Sequence, residues 1–331
     1  MALWLTEAEV KSILTMPLAL QAVETSFSEL AAGRAVLHPR HRLHIPQRSY
    51  LHYMAAGDAA GGYMGMKVYT SSTGGLRFLV LLFSADSGDL LALLEADYLG
   101  QVRTGAASGL ATKRMAREDA RKVGIVGTGL QARTQLEAIA QVRKLESVRA
   151  YSRSQDRREE FSRQMTGVLG VRVTPSSSAE DAVRGADIVV AATTSSHPVI
   201  EGKWLAPGMH INAIGANFPQ KRELDSEAVL RADVVAADSV EQSREEAGDL
   251  IAAYGMEEEK WKAVREISEI VAGKTPGRTG AAQITLFKSN GIATEDVAVA
   301  GKLYEIARER GIGREIALWN DSSRAAEARG L

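Results

Sequence analysis

The apolar positions of the chain change period twice, near residue 43 and again at Arg121. In the first stretch they recur at helical spacing. Thr6 and Glu9 stand at capping-box distance, and Val10, Ile13 and Leu14 follow on one face. Pro17 suits the first position of a second helix, whose apolar face is Leu20, Val23, Phe27 and Leu30 and which Gly33 can end. From residue 43 to 83 the runs shorten. Leu51 to Met54, Met64 to Tyr69 and Phe78 to Phe83 read as strands between Gly- and Ser-rich turns. Asp86-Ser87-Gly88-Asp89 turns the chain into a returning strand over Leu90 to Leu94. Residues 99–117, rich in Ala and Leu, predict a helix that ends in basic residues, as the helix dipole prefers.

Beyond Arg121 short apolar runs alternate with amphipathic stretches. Strands are predicted at Lys122–Val126, Val148–Tyr151, Val171–Thr174, Asp187–Ala192, Met209–Ile214 and Val234–Ala237. Helices are predicted between them at Leu130–Val142, Gln155–Met165 and Ala179–Arg184. That alternation specifies an α/β fold with a parallel, doubly wound sheet of the Rossmann kind. After about residue 290 the pattern is helical again, from Thr294 to Arg310, and no repeat interrupts it.

Composition narrows the function classes. A chain of 331 residues suits about two domains and is long enough to bury a core without disulfides or structural zinc. It has no cysteine, so disulfides, thiolate ligands and a cysteine nucleophile are excluded. Lys+Arg 40 against Asp+Glu 41 gives a net charge of −1 and no general attraction to nucleic acid or anionic membrane. The longest strongly apolar run, Phe78 to Phe83, has the length of a strand and falls far short of a membrane span. No basic segment precedes the first apolar residues, so a cytoplasmic protein is expected.

Gly127-Thr128-Gly129-Leu130-Gln131-Ala132 follows a buried-type strand and opens a helix, which is the dinucleotide-binding pattern with Ala in its last place. The first Gly allows the tight turn, the second lets the backbone approach a pyrophosphate, and the small third residue packs helix against strand. An acidic residue at the end of the second strand would bind the ribose hydroxyls of NAD. That strand ends Tyr151-Ser152-Arg153-Ser154, without a carboxylate, and Arg157 follows. A guanidinium matches phosphate geometry, so NADP(H) is favoured over NAD(H).

Arg40, Lys67 and Arg103 each stand beside an apolar stretch in the first third of the chain. Lys67 lies inside a strand, where the pleat could turn it either to solvent or to the core. Arg103 lies at the start of the 99–117 helix, where a ligand carboxylate or phosphate could sit. Three cations facing a nicotinamide suit an amino- or imino-acid carboxylate. Arg77 could add a contact for a second carboxylate. His38, His41, His44 and His52 fall in one segment, but no acid is interleaved and Arg40 and Arg42 would repel a cation, so no metal site is expected. His197 reads as a loop residue.

Several of these segments, in order, resemble the ornithine cyclodeaminase/mu-crystallin family. They are Gly65-Met66-Lys67-Val68, the hairpin from Leu81 to Leu93, Val102-Arg103-Thr104-Gly105-Ala106-Ala107 and the glycine turn through Arg133. Further on come Ile211–Gly215 with Arg222-Glu223-Leu224-Asp225, then Thr285–Gly291 and Glu295-Asp296-Val297-Ala298. The resemblance implies a homodimer. It implies a discontinuous substrate and dimerisation domain, 1–118 plus 293–331, around an inserted Rossmann domain, 119–292. It assigns the substrate carboxylate to Arg40, Lys67 and Arg103, with Arg42 competing for the first place. It assigns cofactor contacts to Thr104, Gly127, Thr128, Gly129, Leu130, Gln131, Ala132, Ser152, Arg153, Ser154, Thr193 and Ser289.

One departure bears on activity. The cyclodeaminases and the alanine dehydrogenase of the family carry Asp two residues after the Gly of the Ile-Gly segment. Here Gly215-Ala216-Asn217 puts the isosteric but neutral Asn there. Asn cannot act as a general base, which weighs against deamination and cyclisation of ornithine. Reduction of a C=N bond asks less of the protein: cations fix the carboxylate and one donor protonates the nitrogen. Lys67 or a bound water could be that donor, with Asn217 orienting the imine or the water. The leading expectation is therefore an NAD(P)H-dependent oxidoreductase acting on a small imino or amino acid. The alternatives are an ornithine cyclodeaminase and a non-catalytic, NADPH-dependent binding protein of the crystallin kind.

Overall fold

The computed structural model describes residues 1–72 and 74–318. The chain begins with β1 (Ala2–Leu5), α1 (Glu7–Ile13) and α2 (Met16–Ala31). Both helices start at a threonine cap. Thr6 and Glu9 form the capping box, and Thr15 caps α2 with Pro17 in its first turn. Five strands follow: β2 (Ala35–Ile45), β3 (Ser49–Asp58), β4 (Tyr63–Ser72), β5 (Gly75–Ser84) and β6 (Leu90–Glu95), and then α3 (Asp97–Met115). Together with β1 and a strand from the far end of the chain, β15 (Arg314–Ile316), they make a seven-stranded sheet in the order β15-β1-β6-β5-β4-β3-β2.

The second sheet is eight-stranded. Its elements are β7 (Lys122–Val126), α4 (Leu130–Val142), β8 (Ser147–Tyr151), α5 (Gln155–Leu169), β9 (Val173–Pro175), α6 (Ala179–Val183), β10 (Ile188–Ala191) and β11 (His210–Ala213). There follow α7 (Ser226–Leu230), β12 (Val234–Ala237), α8 (Val240–Glu246), α9 (Gly248–Tyr254), α10 (Glu258–Lys262), β13 (Arg265–Glu266), α11 (Ile267–Val271) and β14 (Thr285–Lys288). All pairings are parallel, in the order β13-β12-β14-β11-β10-β7-β8-β9. The order reverses between β7 and β10, which makes their C-terminal ends the topological switch point, where such folds bind ligands. The strands that the pattern predicts in this sheet are present within two residues, whereas in the first sheet β3, β4 and β5 each run three or four residues past the predicted limit at one end.

The last helix, α12 (Ala293–Arg310), returns to the first sheet and packs on the inner face of β2 to β5. It can come close because β4 has a glycine under it. A Cβ on Gly65 would stand 2.9 Å from Val297 and 2.7 Å from the Leu81 carbonyl. The sheet's two faces differ sharply. Inward go Met54, Lys67, Val80 and Leu94, which are register partners in one row. Outward go Val36, Leu43, Leu51, Tyr53, Met64 and Met66, all more than a third exposed.

Arg103 and Arg77 lie elsewhere than the sequence pattern predicts. The third helix begins at Asp97 rather than at residue 99, so Arg103 is in its second turn, not at its start. Arg77 pairs with Thr70 one position from inward-facing Phe78, and so stands exposed on the opposite side of the sheet from Lys67.

Candidate active site

Charged side chains in apolar strands must find partners, because an unpaired buried charge is costly. Lys67, at 2% exposure, is turned to the core and not to solvent. Its Nζ lies 2.8 Å from Asp296 Oδ1, in the first turn of α12, and 5.1 Å from the centre of the Phe78 ring. Gly100 makes room for it, since a Cβ there would be 2.9 Å from Nζ. Arg103 is buried on α3 and reaches the same carboxylate through Nε at 3.2 Å, while its Nη1 meets Glu295 at 2.5 Å. Gly291, at φ +79°, backs this guanidinium: a Cβ would fall 2.6 Å from Nη1. Arg40 closes the group from β2. It donates to Glu246 Oε1 at 2.5 Å and to the carbonyls of Asn290 and Gly291 at 2.9 and 2.8 Å.

The three cations thus gather on one inner wall, facing the chain that leaves β14. Burial pulls the Lys67 ammonium down to about 8; Asp296 opposes that shift, and Arg103 and Arg40 add to it. The carboxylates beside Arg103 raise its guanidinium against the pull of burial, so it stays charged. Arg42 shares the Glu246 carboxylate with Arg40, donates to the Asn217 carbonyl at 2.8 Å and lies 4.5 Å over the Phe218 ring. Arg40 and Arg42 therefore hold one acid between them and join β2 to the loop after β11. Of the four clustered histidines, His52 is the buried one. It stacks on Tyr69 at 4.3 Å, and burial together with Arg42 and Arg40 pulls it down to about 4, so it is neutral. Among the described residues no group of histidines and acids could hold a metal ion.

The C-terminal edge of the second sheet adjoins the three cations, since Arg40 bonds to the chain after β14 and Arg42 to the loop after β11. Gly127 takes φ +111°, and a Cβ there would lie 2.1 Å from the Ala192 carbonyl, so only glycine lets the β7 turn pass β10. A Cβ on Gly129 would meet nothing within 4 Å, which leaves open space in front of α4. No side chain caps that 13-residue helix, so its first N–H groups are available to a phosphate. The turn therefore fits a dinucleotide pyrophosphate. Leu130, Gln131 and Ala132 form the first turn of α4. At the tip of β8, Ser154 caps α5 by accepting from the Arg157 N–H, and Ser152 Oγ donates to the Ser154 carbonyl. Arg153 and Arg157 are exposed, and neither makes an ion pair among the described residues. Thr193 follows β10 and accepts from the Ser195 N–H. Thr104 gives its hydroxyl to the Gly100 carbonyl, and Ser289 gives its own to Asp238.

Three acids fix this edge; Glu223 stands in a segment of the family resemblance, while Asp238 and Asp249 carry no local sequence signal. Glu223 is fully buried and accepts from the N–H groups of Thr193 (2.5 Å) and Gly215 (2.6 Å). It thereby ties the loops after β10 and β11 together. Asp249 accepts from the Glu223 and Leu224 N–H groups and pairs with Lys288 at 2.9 Å, and Lys288 also donates to the Ala216 carbonyl at 2.5 Å. Asp238 accepts from the N–H groups of Asn290 (2.7 Å) and Gly291 (2.6 Å). Lys288, a charge directly after the run Ile284–Phe287, is as visible in the sequence as Lys67.

Residues 2–311 match the ornithine cyclodeaminase/mu-crystallin family. A Delta(1)-pyrroline-2-carboxylate reductase of Bacillus cereus is 40% identical over 241 residues, which is 72% of this chain and 73% of that one. The solved structure of Thermococcus litoralis Delta(1)-pyrroline-2-carboxylate reductase with NADH and L-proline superposes with a TM-score of 0.88, at 34% identity, over 95% of this chain and all of the other. An archaeal alanine dehydrogenase dimer with bound NAD gives a TM-score of 0.90 at 34% identity, covering 96% of this chain and 99% of that one.

Proposed function

The chain belongs to the ornithine cyclodeaminase/mu-crystallin family, and from that premise we propose that it is an NAD(P)H-dependent oxidoreductase that reduces an α-imino acid to the L-amino acid and runs the reverse dehydrogenation. The observation that carries this reading is the buried group Arg40, Lys67 and Arg103, in a chain that also has a dinucleotide-type turn at Gly127–Gly129. Similarity to a pyrroline-2-carboxylate reductase and an alanine dehydrogenase, both acting at a carbon that bears nitrogen, supports it.

Arg103 and Arg40 hold the substrate carboxylate; a guanidinium presents paired donors that match its two oxygens. Burial of this wall excludes water and strengthens each contact. Lys67 Nζ holds the proton that the substrate nitrogen takes as its bond to carbon is reduced. The nicotinamide, when bound, supplies the hydride. Asn217, four residues after β11, orients the nitrogen through its amide. Because that amide is neutral, no general base stands at its position for the cyclodeaminase reaction.

The glycine turn, the first turn of α4, Thr193 and the tip Ser152-Arg153-Ser154 form the cofactor contacts in this reading. Thr104 and Ser289, whose hydroxyls are already given away, shape the same pocket through their backbones. The exposed Arg153 and Arg157, and the lack of an acid at the β8 tip, favour NADP(H) over NAD(H). The apolar outer face of the first sheet is wide enough to mark an association surface, and we assign the homodimer to it. In the same reading the chain divides into two domains, 1–118 with 293–331, and 119–292, of which 319–331 lie outside the described residues.

The test is oxidation of NADPH and NADH with cyclic pyrroline and piperideine carboxylates, or pyruvate with methylamine or ammonia. Turnover that disappears in Lys67→Met supports the reading. Absence of turnover with every pair overturns it.

A further inference from the structure

Lys67 and Arg103 come from different elements, β4 and α3, yet one oxygen holds both. Asp296 Oδ1 lies 2.8 Å from Lys67 Nζ and 3.2 Å from Arg103 Nε, while its Oδ2 is buried with no hydrogen-bond partner. The side chain is fully buried. We infer that Asp296 is a positioning residue for imine reduction: it fixes the two substrate-facing cations relative to each other and keeps the proton on Lys67. The use made of that proton rests on the proposed function; where the proton sits does not.

The charges around Lys67 explain why an anion is needed there. Arg103 faces it from α3 and Arg40 from β2, and both disfavour an ammonium. Burial disfavours it further. Glu295, beside Asp296 on α12, is committed to Arg103 at 2.5 Å, and Asp238 lies behind that pair. Asp296 is therefore the one carboxylate paired with Lys67 itself among the described residues. It sits in the first turn of α12, where the helix dipole favours a carboxylate.

The geometry supplies a clean variant. In Asp296→Asn the Oδ1 acceptor remains for both cations, and the amide nitrogen replaces the oxygen that has no partner. The charge goes and the shape stays. With the opposing charge removed, the Lys67 ammonium should deprotonate at lower pH, by about one unit or more. The measurement is a ¹³C titration of protein labelled at lysine Cε, with Lys67 identified by the resonance missing in Lys67→Met. Alongside it, kcat/KM for imino-acid reduction is followed against pH. The inference requires the Lys67 midpoint and the alkaline limb of the rate profile to fall together in Asp296→Asn, while in Glu295→Gln substrate KM rises and the midpoint moves less. A Lys67 midpoint that stays within about 0.3 unit in the folded variant overturns it. If the wild type turns over no imino acid, the imine-reductase reading fails while the titration still decides where the proton is held. Asp296→Ser, also neutral, serves if the Asn variant does not fold.

Discussion

Substitution of Gly291 by alanine separates substrate binding from folding in a way the structure lets one size in advance. Two costs arise. The first is conformational: φ +79° is a left-handed backbone, and an L side chain there costs about 1–2 kcal/mol. For domains of 150–250 residues each kcal/mol corresponds to a fall of about 2–4 °C in Tm. The second cost is positional. The new Cβ would stand 2.6 Å from Arg103 Nη1, and ordinary contact begins at 3.4 Å, so the guanidinium must retreat by about 0.8 Å. Arg103 is flexible enough to do so without unfolding anything, but it leaves Glu295 and the carboxylate position. Misplacement of a positioning group by about 1 Å can cost on the order of 100-fold in rate, or about 2.7 kcal/mol. The assay is steady-state NAD(P)H oxidation at varied imino acid, with cofactor affinity measured separately by fluorescence and Tm by calorimetry. The expected result is kcat/KM down by about 10- to 100-fold, mostly through substrate KM, with cofactor affinity unchanged. If Tm falls while kcat/KM stays within about twofold, Arg103 does not hold the substrate and the reasoning is refuted.

Four further outcomes follow from the same contacts. Glu223→Gln keeps one acceptor but points an NH₂ at a backbone N–H of Thr193 or Gly215, and loss of a charged hydrogen bond of about 1.5–3 kcal/mol should weaken cofactor binding about tenfold or more by titration. Reduction needs Lys67 protonated, and its ammonium is lowered to about 8, so kcat/KM for reduction should fall above that pH while the amino-acid oxidation rate rises through it; a flat profile between about 7 and 9.5 would count against Lys67 as the donor. Arg153→Glu should raise KM for NADPH at least tenfold and leave KM for NADH within about twofold; equal effects on both would remove Arg153 from the phosphate site. Met64→Asp on the outer sheet face should yield monomer by sedimentation at micromolar concentration, and an unchanged dimer would place the association surface elsewhere.

The legible parts of the fold were those with a strong period. β7, α4, β8 and β10 alternate apolar runs with amphipathic turns, and each fell close to its predicted place. β2 did not, because His38-Pro39-Arg40-His41-Arg42 is polar and contains a proline. It is an edge strand, where proline displaces no ladder hydrogen bond, and it shifts register between His38 and His41. β15 pairs with β1 across almost the whole sequence, a contact no local pattern can announce. The site divides the same way. Lys67 and Arg103 were visible as charges in apolar surroundings. Glu295 and Asp296 stand in a segment that carries the family resemblance, but their pairing with these cations was not legible, since Asp296 lies 229 residues from Lys67 and 193 from Arg103, and acids are ordinary where a helix opens. The roles of Glu223, which the resemblance also includes, and of Asp249 were hidden for a further reason: they act on backbone N–H groups, which are the same at every position in a sequence.

The central claim is that the cation wall and the dinucleotide turn together reduce a carbon–nitrogen double bond. The most direct measurement follows absorbance at 340 nm with purified protein, NADPH or NADH, and pyrroline-2-carboxylate, piperideine-2-carboxylate or pyruvate with methylamine, and identifies the product by chiral chromatography. The expected result is cofactor oxidation matched one for one by an L-amino acid, faster with NADPH. Cofactor that stays reduced with every substrate, or product formed without its consumption, would contradict it.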